Sequence, residues 1–282
     1  MLLRGKAVAE KISEENRTRA DALKEKGITP CLAIFRIGLK ESDLSYEVGA
    51  LKRCNVSGVD VKRFAFAEDV SEEEFYAALD QANQDKTIHG ILVFRPAPKR
   101  FDDNKLRNSI APEKDVDGCS DLSLAGIFVR KDLGFAPCTA EAAIEILDHY
   151  GIECKGRNAV VLGRSLVIGK PVSMLLLNRN ATVTICHTGT KNVEEIASKA
   201  DILICATGQM ETVNRNFVNE RQTLIDVGIS WNKEKHKLCG DALFEEVEPI
   251  VENITPVPGG VGSVTTSILV RHVIEAAEKQ TQ

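Results

Sequence analysis

Several kinds of site are missing from this chain. Its eight cysteines, at 31, 54, 119, 138, 154, 186, 205 and 239, include no C-x-x-C pair, and its five histidines form no zinc-ligand spacing. No structural metal is therefore expected, and the cysteines read as small core residues of a reducing compartment. No apolar run approaches a membrane span, and the opening MLLRGKAVAEKI is too charged for a secretory h-region. The expectation is a cytoplasmic chain with no membrane partner. Net charge is −5, with acids and bases interspersed, and nothing resembles the basic stripe of a nucleic-acid binder. There is no internal repeat and no low-complexity tract.

What is there suits a globular protein with a real core: 282 residues, 43% hydrophobic and 27% charged, enough for one large domain or two ordinary ones. The organising stretch is AVVLGRSLVIGKP, residues 159–171. Ala159 to Leu162 has the length and branching of a buried strand, Gly163 breaks it, and Gly169 and Pro171 open a helix, where proline's missing N–H costs nothing. Strand, glycine turn and helix start aim free N–H groups and the positive end of a helix dipole at one spot, which suits a phosphate. The spacing is G-R-S-x-x-x-G rather than G-x-G-x-x-G, so the motif alone also fits a plain βα turn. TVTIC (182–186), DILICA (201–206) and TLIDVGI (223–229) read as further strands, with a helix over 193–200 between the first two. Alternating strands and helices predict an α/β fold with a parallel sheet and put Gly163 at a strand's carboxyl end, where such sheets bind ligands.

The first half is also βαβ-like. Residues 5–26 read as an amphipathic helix, 31–37 as a strand, 43–54 as a helix ending near Gly58, and 59–66 as a strand. A helix over 71–85 starts at a Ser71/Glu74 capping box, and HGILV (89–93) is a third strand. Residues 112–139 read as loop, the kind of segment that carries sites. A helix over 141–150 links the halves, and a last helix covers 264–278.

GRSLVIGKP, ATVTICHTGT, ADILICATG, LIDVGIS and TPVPGGVG occur in order, preceded by PEKDVDG and PCT and by a Tyr46-containing helix. Together they resemble the methylenetetrahydrofolate dehydrogenase/cyclohydrolase family over essentially the whole chain. The resemblance implies two parallel-sheet βαβ domains flanking a cleft, the C-terminal one Rossmann-like, usually as a homodimer. It implies a folate domain over 1–140 with the last helix, 264–282, and a dinucleotide domain over 141–263. The chemistry implied is hydride transfer from 5,10-methylenetetrahydrofolate to NADP, or NAD, and then hydrolysis of the methenyl bridge to 10-formyltetrahydrofolate. By resemblance Gly163, Arg164, Ser165 and Gly169 hold the dinucleotide phosphates, with Arg164 and Thr188 beside a 2′-phosphate and Ile229 touching the cofactor through its backbone. Ile229 also fits a core strand position. On the folate side Tyr46 matches a stacking tyrosine and Asp117 the carboxylate that binds the pterin amino group, these two being the catalytic candidates. Phe94, Pro258, Gly259 and Gly260 complete the substrate set. Tyr46 also fits an ordinary half-buried tyrosine, and Asp117 a plain turn residue.

The chain departs from the family pattern at one place that matters for the chemistry. Four residues after the tyrosine the family has a lysine, its acid/base group for hydrolysis; here the residue is Ala50. Lys52 lies about 200° round the helix from Ala50, and Arg53, back on the Tyr46 side, carries charge but gives up no proton. Where the family has the lysine's glutamine partner, this chain has Phe94, followed by Arg95. Asp43, Ala140 and Ser263 replace a common serine and two prolines. General acid/base groups contribute about 10²–10⁴-fold, so the expectation is a dehydrogenase whose cyclohydrolase step is weak or lost. The alternatives are the full bifunctional enzyme, with Arg95 or a water standing in, and a non-catalytic folate- or nucleotide-binding paralogue.

Overall fold

The computed structural model describes residues 1–281, and residue 282, the end of the expected last helix, lies outside them. The chain folds as two units, each built on its own parallel sheet. The three-stranded unit holds Lys11–Cys138 and the described residues from Thr266 onward, and the five-stranded unit holds Met1–Glu10 and Thr139–Thr265.

The chain opens with α1 (Gly5–Glu25), then β1 (Cys31–Ile37), α2 (Glu41–Ser57), β2 (Asp60–Phe66), α3 (Glu72–Gln84) and β3 (Gly90–Val93). The sheet order is β2-β1-β3, all parallel, so successive crossovers leave β1 in opposite directions. Such a reversal opens a crevice at the strands' carboxyl ends. Helix α2 stops at Gly58, whose φ of 74° is left-handed and whose N–H donates back to the Asn55 carbonyl. Helix α3 starts where the sequence predicts, with the Ser71 hydroxyl accepting from the Glu74 N–H. Phe35, Phe75, Leu79, Ile91 and Leu106 centre the core, and the Phe75 ring meets Phe35 and Phe101 edge-on.

The segment expected as loop over 112–139 contains a 3-10 turn, Pro112–Lys114, and one α-helix. After α4 (Asp103–Asn108) comes α5 (Asp121–Val129), capped by the Ser120 hydroxyl accepting from the Ser123 N–H. Serines and a glycine lower helix propensity, but the cap and the burial of Ser123 and Gly126 override it.

The five-stranded unit runs α6 (Cys138–His149), β4 (Asn158–Leu162), α7 (Gly169–Asn178), β5 (Thr182–Cys186), α8 (Val193–Ala197), β6 (Ile202–Cys205) and β7 (Thr223–Asp226). An antiparallel hairpin, β8 (Ser230–Asn232) and β9 (Lys237–Cys239), then α9 (Phe244–Val247) and β10 (Asn253–Ile254) complete it, and α10 (Gly262–Gln280) follows, belonging to the three-stranded unit from Thr266. The parallel order is β10-β7-β6-β4-β5, with the direction of winding reversing between β4 and β6. This is the doubly wound arrangement expected for a dinucleotide domain. The first ten residues lie with this unit rather than with the three-stranded one. The Leu3 N–H donates to the Ile254 carbonyl and the Gly5 N–H to the Gly259 carbonyl, both at 2.8 Å. Among the described residues no helix is long and apolar enough to cross a membrane. Nor do three His, Cys, Asp or Glu side chains gather as metal ligands among them.

Candidate active site

In the five-stranded unit, Gly163 follows β4 at the point where the winding reverses. Its φ is 123°, and a Cβ there would overlap the Ala206 carbonyl oxygen at the end of β6. A Cβ on Gly169 would overlap the Gly163 carbonyl oxygen. Both glycines are thus required by the close approach of the turn to its neighbours. Arg164 and Ser165 are exposed, and the Ser165 hydroxyl accepts from the Ile168 N–H at 3.2 Å. The residue before α7, Ile168, brings no side-chain cap; the Lys170 N–H already donates to the Ser165 carbonyl and Pro171 has none, which leaves the Gly169 N–H of the first turn for a ligand. Thr188 is exposed in the loop after β5, where the Thr190 hydroxyl and the His187 ring each accept a backbone N–H. No acidic side chain stands in His187–Thr190, where a carboxylate would repel a 2′-phosphate. Ile229, after β7, is 62% exposed, which removes the core-strand reading and leaves its backbone accessible.

Pro258 and Gly259 are exposed, Gly259 with φ of 102°. Gly260 is buried, and its missing side chain serves the fold, since Cβ atoms on Gly5 and Gly260 would overlap the Gly260 and crowd the Pro256 carbonyls. Its smallness is therefore explained without a ligand.

In the three-stranded unit, Tyr46, Phe94 and Asp117 come together. The Tyr46 and Phe94 rings meet edge to face, 5.7 Å between centroids. Burial raises the Tyr46 hydroxyl well above its ordinary range, and the Asp117 charge adds to the rise. Asp117 itself is pushed up to about 6, first by burial and then by the Asp115 charge, while Arg95 and a Cys138 hydrogen bond oppose the rise. Arg95 is largely enclosed and pairs with Asp103 at 3.2 Å. The loop bearing Asp117 is rigidly made. Asp115 accepts from the Cys119 and Ser120 N–H groups and from the Ser123 hydroxyl, and Gly118, φ 67°, packs against the Phe135–Pro137 backbone.

Ala50 is fully buried on the same helix as Tyr46. Lys52 is exposed, and the Arg53 guanidinium bonds the Ser13 hydroxyl of α1 at 2.9 Å, so neither occupies the place of a lysine at 50. The sequence reading missed the buried pair beneath Tyr46. Glu47 binds the Arg36 guanidinium at 2.7 Å, and Arg36 also donates to the Gly38 carbonyl, fixing α2 to the carboxyl end of β1. The only signal was an acid beside the tyrosine and a base near a strand end.

Comparison with known proteins decides the family. The profile of the tetrahydrofolate dehydrogenase/cyclohydrolase catalytic domain matches residues 3–117, and that of its NAD(P)-binding domain matches 137–281. The chain belongs to the tetrahydrofolate dehydrogenase/cyclohydrolase family. It is 49% identical to the bifunctional protein FolD of Clostridioides difficile, over 99% of this chain and 97% of that one. Among solved structures, the bifunctional FolD of Campylobacter jejuni superposes with a TM-score of 0.96 at 34% identity, covering 99% of each chain. The Trypanosoma brucei FolD, complexed with NADP cofactor and inhibitor, has a TM-score of 0.94 at 29% identity, covering 100% of this chain and 98% of that one. Within the tetrahydrofolate dehydrogenase/cyclohydrolase family, then, the five-stranded unit's sheet is that of the NAD(P)-binding domain. The turn at Gly163, with its side-chain-free approach and uncapped helix, fits such a cofactor.

Proposed function

We propose that the chain oxidises 5,10-methylenetetrahydrofolate with NAD(P) and hydrolyses the methenyl product to 10-formyltetrahydrofolate. The observation that carries this reading is near-full-length similarity to a protein named bifunctional FolD. That similarity favours both activities over the sequence expectation of a weak or lost second step. NAD(P), when bound, takes up hydride from the methylene carbon. Gly163, Arg164, Ser165, Gly169 and Thr188 hold its phosphates, and Ile229 lends backbone contact. Tyr46 stacks on the folate, and Asp117 accepts from the pterin amino group. Pro258, Gly259 and Gly260 are assigned to the same substrate set by resemblance, though the packing of Gly260 gives that residue less support. Hydride transfer needs two rings held face to face and no strong base, so these positioning roles supply most of the barrier reduction.

A second reading, oxidation with weak hydrolysis, rests on one local observation: Ala50 is buried where the family's lysine would stand, and Phe94 seals the neighbouring position against Tyr46. In the bifunctional reading Arg95 or a water supports the addition of water to the methenyl carbon; the guanidinium gives charge but no proton. We also read the chain as a cytoplasmic homodimer with no metal. Eight free cysteines support the compartment, and the unpaired edge strand β2 offers a surface for a second copy. The function is tested by a paired assay, with NADP and with NAD, of methylenetetrahydrofolate oxidation and methenyltetrahydrofolate hydrolysis. Oxidation with hydrolysis above the spontaneous rate supports the bifunctional reading. Oxidation alone supports the second, and cofactor binding with no turnover of either folate overturns both.

A further inference from the structure

Two carboxyl groups are buried at the carboxyl edge of the five-stranded sheet: Asp226 at the end of β7 and Asp241 just beyond β9. Asp226 Oδ1 accepts from the Gly228 and Asp241 N–H groups at 2.9 and 3.1 Å, and its Oδ2 from the Ala242 N–H at 2.8 Å. Asp241 Oδ2 accepts from the Thr207 and Gly208 N–H groups at 2.6 and 3.2 Å. Three segments, 207–208, 228 and 241–242, are thereby tied to one acidic pair. Asp241 Oδ1 is fully buried with no hydrogen-bond partner, and it lies so close to Gly228 that a Cβ there would overlap it.

Two of those segments are the loops after β6 and β7. If the phosphates sit at Gly163 and the 2′-phosphate near Thr188 after β5, the nicotinamide half extends the other way from the switch point, over these loops. We propose that Asp226 and Asp241 are a positioning pair for the dehydrogenase reaction, holding the loops that seat the nicotinamide half of NAD(P). This rests on the dehydrogenase reading given above.

The electrostatics agree with the geometry. Burial, reinforced by the Asp241 charge, pushes Asp226 up to about 7 against the pull of its backbone donors. The groups facing the pair are the Cys205 thiol on β6 and the Thr255 hydroxyl beyond β10, which takes the Asp226 N–H. No Lys, Arg or His among the described residues pairs with either carboxyl. As pH rises through its folded value Asp226 loses its proton in a buried place beside the Asp241 charge, and the grip on the loops loosens.

The test is calorimetric titration of the full chain with NADP between about pH 6 and about pH 9, with NAD run in parallel. In Asp241→Asn the amide NH₂ takes the place of the partnerless oxygen while the carbonyl keeps the Thr207 and Gly208 bonds. The native Kd is expected to rise roughly tenfold across that range and the Asp241→Asn Kd to stay within about twofold. Ionisation of the ligand is common to both proteins and drops out of the comparison. Asp241→Ala should weaken binding roughly tenfold at every pH while the folate KM holds within about twofold. An Asp241→Asn profile with the native slope, or an Asp241→Ala variant binding like the native chain, overturns the pair's role. Should Asp241→Ala fail to fold, the Asp241→Asn slope decides alone. If the native chain binds neither NADP nor NAD, the dehydrogenase reading falls, and this inference with it.

Discussion

The Tyr46 ring stands at 84° to the Phe94 ring, edge to face, with 5.7 Å between centroids. Aromatic pairs in this geometry contribute about 0.5–1.5 kcal/mol beyond the area they bury. The contact therefore helps hold α2, which carries Tyr46, against the segment that follows β3. The double replacement Ala50→Lys with Phe94→Gln is expected to raise methenyltetrahydrofolate hydrolysis above the native rate. A gain of about 10²-fold or more means the lysine's proton handling was missing, and a gain below about tenfold means another group already supplies it. Oxidation and hydrolysis rates measured on the same preparation check this.

Asp117 gives a pH dependence with a definite sign. Its carboxyl is raised to about 6, above the ordinary carboxylate value, so between about 4 and that point the folded state holds more protons than the unfolded one. The stability contributed by the neutral form is greatest in acid and is lost as pH rises through the folded value. Binding runs the other way, because accepting from a pterin amino group favours the ionised carboxylate. The folate KM is expected to fall as pH rises through about 6. In Asp117→Asn it should be flat with pH and raised about tenfold to a hundredfold. Initial-rate KM measurements across the range check both.

Glu47 and Arg36 make a buried ion pair whose loss leaves a charge without its partner. Glu47→Ala is expected to destabilise the three-stranded unit by about 3–5 kcal/mol. Glu47→Gln, which keeps the size and an acceptor for the guanidinium, should cost less. Denaturant unfolding followed by circular dichroism checks the order of the two variants.

Gly163→Ala sets a methyl group where the Ala206 carbonyl oxygen stands, at a φ of 123° that L residues rarely adopt. NAD(P) binding is expected to weaken at least about tenfold as the turn shifts out of place. Gly151→Ala is a matched control, because its φ of 69° is also left-handed but a Cβ there meets nothing. It should lose stability without losing cofactor affinity.

The parts of the molecule legible in the sequence were those governed by local rules. Uninterrupted apolar runs marked β4 and β6, Ser71 marked the start of α3, and Gly58 the end of α2. The rest depended on partners far along the chain. The β8–β9 hairpin has only three residues per strand, too few for an alternation to register. Helix α5 hid behind serines and a glycine whose burial only the tertiary structure supplies. The site was legible as motifs, but its electrostatics were not. That Asp117 is raised depends on burial and on Asp115, and that Asp226 lies against the 241–242 backbone depends on a hairpin folding back over its strand.

The Leu3 amide waits for Ile254, and the unit containing β1 waits for α10. During synthesis, residues made at the outset thus stay without their sheet-edge partner until nearly the whole polypeptide has emerged. A fragment cut at residue 140 would therefore carry each half away with a piece of the other missing.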